Sequence, residues 1–408
     1  MLLILLFPFF LLAGVLLAMV SVWVFCTEFL TVDIPAGING KTRLRLLHCI
    51  FKLQMMWGTV LEKLRICSMP QFFRFMHDLP PLKNDPEVVV TDLHFGTIPV
   101  KLYQPKATSC SSRPGIVFYH GGGGIMGSLR THHGICRQLC KESDSVVLSV
   151  GYRMVPQCRF PVLVRDSICA TIHFLRSLKL YGVDPARVVV YGDSMGGQLA
   201  STVCQNLLCY PDLPKIRAQV LVYPTLQGLD FQSPSYQQNK NGPLVSLDFF
   251  FYCWCSCLSI NPAWKSVVLQ NAHMPPEVWA KYQKWLGAEN IPEKFKTRGY
   301  QSQTPGPLNE DAFQECLLAL DVTTSPLLAE DDVVSRLPEA CIVSCEHDLF
   351  RDHALLYKKR LEDQGVRVTW HHVEDGFHGV LSCLDMTFFS FPCSRKILDA
   401  TVRFINDL

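Results

Sequence analysis

The sequence predicts an α/β fold in which a mostly parallel central sheet is covered by helices on both faces. Short runs rich in β-branched residues alternate with longer segments of helical spacing, which is typical of α/β proteins. Several strand candidates are apolar at every position, as expected where helices cover both faces of a parallel sheet. We also expect a helical cap and an apolar helix at the amino terminus.

The elements of this sheet can be placed along the chain. Residues 86–105 alternate in polarity and predict a hairpin. Further strand candidates share short β-branched runs: 115–119, 145–150, 187–192, 218–224, 340–345 and 366–372. The helical candidates between them are 160–178 and 198–208.

The composition excludes some classes of function. The net charge of the 408-residue chain is +2, which provides no basic field for nucleic acid, so we expect no nucleic-acid partner. Charged residues are only 18% of the chain. The mean hydropathy of +0.17 favours an apolar surface that faces lipid or a lipophilic partner.

The 18 cysteines are scattered, and they predict neither a disulfide scaffold nor a metal site. Cys253, Cys255 and Cys257 form a C-x-C-x-C cluster that lacks the C-x-x-C spacing of zinc sites. We expect these thiols to pack as small apolar groups. Neither a metal nor an organic cofactor is expected, and the oligomeric state is left open.

The amino-terminal segment predicts a membrane anchor. Residues 1–25 contain no charged side chain, and as a helix they would span about 37 Å, more than the ~30 Å hydrocarbon core. A cleaved signal peptide, the alternative, has a basic start and a shorter apolar core. We therefore expect a retained single-pass transmembrane anchor over residues 1–26. The basic residues that follow weakly favour a cytoplasmic carboxyl-terminal side.

Three further segments follow the anchor. Residues 27–84 predict a membrane-proximal cap segment, with one or two amphipathic helices that either pack on the core or lie near the bilayer. Residues 85–408 form the main domain. Within it, an aromatic-rich stretch at about 230–320 interrupts the alternation, and we expect a helical insertion that covers the carboxyl ends of the strands.

A candidate nucleophile lies between a strand and a helix. Gly192, Asp193, Ser194, Met195 and Gly196 match G-x-S-x-G directly after the strand candidate and directly before the helix. Such a sharp turn exposes the central serine at the edge of the sheet, as acyl-transfer chemistry requires. The alternative is an ordinary strand-to-helix turn.

Serine needs a base, and the base needs a carboxylate that fixes its tautomer. His378 follows the last strand candidate, whereas His371 and His372 lie within it. The candidate acids all follow the strand candidate at 340–345: Glu346, Asp348 and Asp352. We favour Asp348, because Glu346 is the first residue after this strand candidate and Asp352 comes later in the chain. The order Ser194, Asp348, His378 is that of α/β-hydrolases.

The run of four glycines after His120 predicts an oxyanion hole. Backbone N–H donors must approach the developing oxyanion without side chains in the way. We expect the amides of Gly122 and Gly123 to act with the amide of Met195, while His120 and Gly121 support the loop. A phosphate-binding loop, the alternative, would need a Lys that is missing here.

Together these motifs resemble the hormone-sensitive-lipase-like branch of the α/β-hydrolases. More narrowly, the chain resembles the arylacetamide deacetylase-like proteins, closest to their type 4 subgroup. The resemblance spans nearly the whole chain and rests on the apolar amino terminus and on YHGGGG, GYRMVP, GDSMGG, SPLLAEDD, CEHDLFRD and DGFHG. It implies an esterase of lipophilic esters and arylamides, anchored as a single-pass type II protein of the endoplasmic reticulum with a lumenal catalytic domain.

Three residues depart from the pattern of this family. Gly124 replaces a Trp, and we expect a wider or looser acyl pocket. Ile125 replaces a Cys that pairs, in some members, with the position of Cys345, so Cys345 is expected to lack that partner. Met195 replaces an Ala, which adds bulk but keeps the amide.

The sequence thus predicts a serine hydrolase that cleaves neutral lipophilic esters through an acyl-enzyme, with amides as further candidates. Its expected partners are a lipophilic ester substrate and membrane lipid. Two alternatives remain: a binding protein on the same scaffold without meaningful turnover, and an acyltransferase in which an alcohol replaces water.

Overall fold

The computed structural model describes residues 2–109 and 111–408, and the side chains of residues 14, 15, 17–109 and 111–408. The helices are α1 Leu2–Thr31, α2 Lys41–Lys63, α3 Met69–Asp78, α4 His133–Glu142, α5 Val162–Arg176, α6 Met195–Leu207, α7 Pro234–Gln238, α8 Leu247–Leu258, α9 Lys265–Leu269, α10 Pro276–Leu286, α11 Glu310–Cys316, α12 Asp331–Val334, α13 Arg351–Asp363 and α14 Pro392–Asn406. The strands are β1 Val88–Phe95, β2 Ile98–Pro105, β3 Arg113–Tyr119, β4 Val146–Val150, β5 Val183–Asp193, β6 Ala218–Val222, β7 Glu339–His347 and β8 Val368–Phe377.

These strands form an 8-stranded sheet in the order β1-β2-β4-β3-β5-β6-β7-β8. The predicted hairpin is the β1–β2 pair, which joins the sheet through an antiparallel pairing of β2 with β4. The remaining neighbours pair in parallel. The predicted α/β fold with a mostly parallel sheet is therefore confirmed.

Helices bury both faces of the sheet, which explains the continuously apolar strands. In β5, Val188 and Val190 belong to one core, and Val189 and Tyr191 belong to the other. The first core includes residues of α5, α6, α8 and α13, and the second includes residues of α4 and α14. Because successive side chains of a strand point to opposite faces, both cores require apolar residues at every position.

The parallel connections bring four motif-bearing loops to the carboxyl edge of the sheet. His120 follows β3, Ser194 follows β5, Asp348 follows β7 and His378 follows β8. In open α/β sheets the ligand binds outside this edge. Residues that are far apart in the sequence therefore lie close together where a substrate would bind.

Two helical segments flank this edge. The helices α7–α11 lie between β6 and β7, where the sequence predicts an insertion at about 230–320. The helices α2 and α3 precede the first strand, and α3 begins with a capping box of Ser68 and Gln71. The bounds of the predicted domains stay a prediction.

The amino-terminal helix α1 runs over Leu2–Thr31. Within the part of the chain whose side chains are described, no helix is both long and apolar enough to cross a membrane. The anchor predicted over residues 1–26 falls largely on side chains outside that description, so it stays a prediction.

Candidate active site

Three polar side chains meet at the carboxyl edge of the sheet. Nε2 of His378 lies 2.8 Å from Oγ of Ser194. Nδ1 of the same ring lies 2.9 and 3.0 Å from the two carboxylate oxygens of Asp348. All three residues are buried, so bulk water does not compete for these hydrogen bonds. The arrangement is that of a nucleophile, a base and an orienting carboxylate.

The strand-to-helix turn holds Ser194 in a strained conformation. Its φ is 56° and its ψ is −122°, which few residues other than glycine adopt. A Cβ on Gly196 would lie 2.0 Å from the carbonyl oxygen of Tyr119. A Cβ on Gly192 would lie 2.0 Å from the carbonyl oxygen of Gly196. The two motif glycines are therefore needed because β3 and α6 approach this turn closely.

The surroundings of Asp348 and His378 fix the orientation of the imidazole. Oδ1 of Asp348 accepts a hydrogen bond from the backbone N–H of Phe350 at 2.8 Å. The His378 ring packs against the rings of Tyr223 and Phe350, each with its centroid 4.9 Å away. With Nδ1–H donating to the carboxylate, Nε2 is free to accept the proton of the serine.

The alternative bases lie within β8, and the alternative acids are engaged elsewhere. His371 and His372 lie within β8, and Nε2 of His372 lies 3.2 Å from Glu346. Burial raises the pKa of Glu346, but His372 and Arg351 outweigh this effect and hold it at about 2. Asp352 forms a fully buried ion pair with Arg351 at 3.0 Å. Of the three candidate acids, only Asp348 contacts His378.

The glycine loop presents unpaired amides beside the serine. The carbonyl of Gly122 accepts hydrogen bonds from the amides of Ile125 and Met126 at 3.1 and 2.9 Å, which closes the turn. Within the described residues, the amides of Gly122 and Gly123 donate no hydrogen bond. Met195 is the first residue of α6, where a backbone N–H has no intrahelical acceptor. These three amides could donate to an oxyanion.

His120 and Gly121 lie behind this loop, as expected of supporting residues. Nδ1 of His120 lies 2.8 Å from the carbonyl oxygen of Gly121, and the hydroxyl of Tyr152 donates to the carbonyl of His120. Complete burial lowers the pKa of His120 to about 3. The imidazole therefore stays neutral at physiological pH and is suited to bracing the loop.

Sequence reasoning missed a second brace, formed by Asp193 and His132. Oδ1 of Asp193 accepts from the amide of Gly121 at 2.9 Å and lies 3.3 Å from Nε2 of His132. Burial raises the pKa of Asp193, but His132 and the Gly121 amide outweigh it and hold the pKa below its usual value. Asp193 stood inside the serine motif, yet no spacing rule linked it to His132.

Sequence reasoning also missed Arg74 on α3. Its guanidinium donates to the carbonyls of Ile125 and Val155 at 3.0 and 2.7 Å. The cap segment before the first strand thereby holds the far end of the glycine loop. A contact across 51 residues leaves no local signal in the sequence.

The expected widening of the pocket at Gly124 is not found. A Cβ on Gly124 would lie 2.5 Å from Sγ of Cys257, so a thiol of α8 fills this space. Sγ of Cys257 also donates to the carbonyl of Gly123 at 3.3 Å, and burial raises its pKa to about 12. The C-x-C-x-C cluster thus packs against the glycine loop. Cys345 is buried as a free thiol.

A cavity of about 440 Å³ opens beside the serine. Large apolar side chains from four parts of the chain line it: Phe51, Phe160, Phe249, Phe250, Trp254 and Phe350. Ser194, His378 and the glycine loop line the same cavity. It could therefore hold a lipophilic molecule with one carbonyl group at the serine.

Replacing Gly122 with Ala is expected to lower kcat by about 100- to 1,000-fold, the cost of losing one oxyanion donor. The added Cβ would lie 2.1 Å from the carbonyl oxygen of Met126, and the φ of Gly122 is +115°, so the turn must rearrange. Steady-state turnover of p-nitrophenyl butyrate measures the loss.

Gly365→Ala is the matched control for this substitution. Gly365 also has a positive φ, +76°, but a Cβ there meets open space. It should cost about 1 kcal/mol of stability and leave kcat unchanged. Equal kcat values for the two variants would contradict the role of the Gly122 turn.

Comparisons with known proteins identify the family of the chain. A model of the alpha/beta hydrolase fold matches residues 116–280 and 308–382. Human arylacetamide deacetylase-like 3 is 64% identical, covering 95% of this chain and 96% of that protein. Human arylacetamide deacetylase-like 4 is 53% identical, covering 95% and 96%. The resemblance to these proteins is confirmed, and the identity to the human type 3 protein exceeds that to the human type 4 protein.

Among solved structures, a fungal esterase from Rhizomucor miehei superimposes with a TM-score of 0.62. It is 23% identical, and the match covers 83% of this chain and 90% of that chain. At this identity the likeness concerns the fold alone.

Proposed function

The chain belongs to the alpha/beta hydrolase fold family, and we propose that it is a serine hydrolase that cleaves carboxylic esters of neutral, lipophilic substrates through an acyl-enzyme. The observation that carries this proposal is the contact of 2.8 Å between Oγ of Ser194 and Nε2 of His378. Asp348 holds the opposite side of the imidazole, so the serine has a base in the correct tautomer.

The reaction proceeds in two acyl transfers. Oγ of Ser194 attacks the carbonyl carbon of the ester while its proton passes to Nε2 of His378. The carbonyl oxygen becomes an oxyanion, to which the amides of Gly122, Gly123 and Met195 donate. The bond to the alcohol oxygen then breaks, and His378 returns the proton to the leaving alcohol. Water then attacks the carbonyl carbon of the acyl-enzyme, and His378 accepts its proton. The bond to Oγ of Ser194 breaks, His378 returns the proton to the serine, and the acid leaves.

The cavity supports the choice of a lipophilic substrate. Its walls carry aromatic rings from α2, α8 and the loop after β7, and burial of apolar surface stabilises a ligand by about 25 cal/mol per Å². Amides are further candidates, because the similar human proteins are named for their likeness to an arylacetamide deacetylase.

The proposal includes the place of the protein in the cell. We place residues 1–26 in a membrane as a single-pass anchor and the catalytic domain in the lumen of the endoplasmic reticulum. The resemblance to a membrane-anchored family and the uncharged amino terminus support this placement.

The test is labelling of the membrane-expressed protein with a fluorophosphonate, combined with turnover of p-nitrophenyl butyrate. Only an activated serine reacts with this probe, so we expect a single adduct on the peptide that contains Ser194, with ester hydrolysis in the same sample. Mass spectrometry of the digested protein locates the adduct.

A folded protein that neither labels nor hydrolyses the ester would contradict the proposal and favour a binding protein. A protein that labels and passes the acyl group to an added alcohol in preference to water would be an acyltransferase. Analysis of the products by chromatography separates ester hydrolysis from acyl transfer.

A further inference from the structure

The cavity opens between three segments that are far apart in the sequence. Its lining reaches Ile50 of α2, Pro80 and Pro81 after α3, and Met386 near the carboxyl terminus. Nζ of Lys83 donates to Asp385, which ties the second segment to the third. These segments form one rim around the entrance to the catalytic serine.

Large apolar side chains project from this rim into solvent. Leu79 is 56% exposed and Phe388 is 61% exposed, and neither lines the cavity. Phe75, one turn before Leu79 on α3, is also exposed. Exposed apolar side chains that surround the entrance of a binding cavity mark a surface that contacts lipid or a partner.

The amino-terminal helix attaches directly beside this rim. The carbonyl of Phe29 accepts from Arg45 at 2.8 Å, and Glu28 lies 3.3 Å from His48. These α2 residues lie within two turns of Ile50. The described part of α1 leaves large apolar side chains exposed, among them Met19, Val22, Trp23 and Leu30. The unpartnered apolar surface of α1 therefore adjoins the cavity entrance.

The charge of α2 distinguishes lipid from an unspecified apolar partner. Residues 41–65 carry one acidic residue, Glu62, and six basic residues, namely Lys41, Arg43, Arg45, Lys52, Lys63 and Arg65. At the end of this helix, exposed Leu64 and Ile66 alternate with Lys63 and Arg65. Basic residues beside exposed apolar residues suit the boundary between the phosphates of phospholipid headgroups and the acyl chains.

We propose that the rim lies on the lipid bilayer and that the substrate enters the cavity from the membrane. This inference rests on the proposed esterase function and narrows its substrate to a neutral ester dissolved in the bilayer. Such a substrate passes from the acyl chains between Leu79 and Phe388 to Ser194 without crossing water. Its apolar part therefore stays in an apolar environment along the whole path.

The test compares two esters on the full chain reconstituted into phosphatidylcholine vesicles. One is 4-methylumbelliferyl oleate dissolved in the bilayer, and the other is p-nitrophenyl butyrate in the aqueous phase. The variant combines Leu79→Asp with Phe388→Asp. We expect hydrolysis of the oleate ester to fall about tenfold, because two charges replace apolar contacts with lipid. Hydrolysis of the butyrate ester should change less than about twofold, since neither residue lines the cavity.

Leu180→Asp is the matched control. Leu180 is 78% exposed and precedes β5, at the edge of the sheet opposite Ser194. It should leave the rates on both esters unchanged.

Three outcomes would overturn the inference. An unchanged oleate rate in the rim variant would show that the rim does not contact lipid. An equal fall with both esters would show that the rim supports the cavity and not access from the membrane. A wild-type protein that hydrolyses neither ester would contradict the proposed function and this inference with it. If the wild type hydrolyses the butyrate ester but the rim variant leaves the oleate rate unchanged, only the inference is contradicted.

Discussion

Replacement of Ser194 by Ala is expected to lower kcat by about 10⁶-fold, as loss of the nucleophile does in serine hydrolases. Oγ of Ser194 supplies the bond of the acyl-enzyme and the proton that His378 accepts at 2.8 Å. Without Oγ, only substrate binding and the oxyanion hole remain to accelerate attack by water. Turnover of p-nitrophenyl butyrate measures the effect, and fluorophosphonate labelling should disappear in the same variant.

Ser201→Ala on α6, the helix that begins directly after Ser194, is the control for a lost hydroxyl. Ser201 is fully buried and lies 2.7 Å from the hydroxyl of Tyr357, away from His378. Its loss should cost about 1 kcal/mol of stability while labelling persists. Substantial turnover by the Ser194 variant, with labelling of another residue, would assign the nucleophile elsewhere and contradict the proposed mechanism.

Replacement of Asp348 by Asn is expected to lower kcat by about 10⁴-fold. The carboxylate accepts the Nδ1–H of His378 and fixes the tautomer that leaves Nε2 as an acceptor. An amide can donate to Nδ1 and stabilise the opposite tautomer, in which Nε2 carries the proton and cannot accept one from Ser194. Steady-state kinetics at pH 8 measures the loss, and thermal unfolding tests whether the variant folds.

Glu346→Gln is the matched control, since Glu346 is a candidate acid two residues before Asp348, near the end of β7, but contacts Arg351 and His372. We expect kcat within about tenfold of the wild type and a lower unfolding temperature, because an ion pair is lost. A larger loss of kcat in the Glu346 variant than in the Asp348 variant would reverse the assignment of the acid.

The glycine loop receives support from both flanking segments as well as from the sheet. Arg74 of the cap segment binds the carbonyl of Ile125, and Cys257 of the insertion binds the carbonyl of Gly123. Displacement of either segment would therefore change the position of the oxyanion donors. This dependence gives the helices outside the sheet a direct effect on catalysis.

The local sequence was sufficient to predict the sheet and its principal motifs. Continuously apolar strands indicated a sheet covered on both faces, because only a doubly buried strand can bury every side chain. The G-x-S-x-G turn was predicted because a sharp turn between a strand and a helix leaves no room for a Cβ, as Gly196 shows against Tyr119. Ser194, Asp348 and His378 were chosen because each follows a strand candidate, and their order in the chain is that of the α/β-hydrolases.

Only the tertiary structure decided how the glycine loop is held and how wide the pocket is. The absence of a Trp at position 124 suggested open space, but Cys257 fills it from a helix more than a hundred residues away. Arg74 reaches Ile125 across 51 residues, and His132 lies beside Asp193, which accepts a hydrogen bond from the amide of Gly121. Sequence periodicity and motifs indicate which side chains of a single helix or strand are buried. The contacts between two elements depend on how the whole elements pack against each other. No local pattern encodes that geometry, so the sequence determined the chemistry of the site and the fold determined its shape.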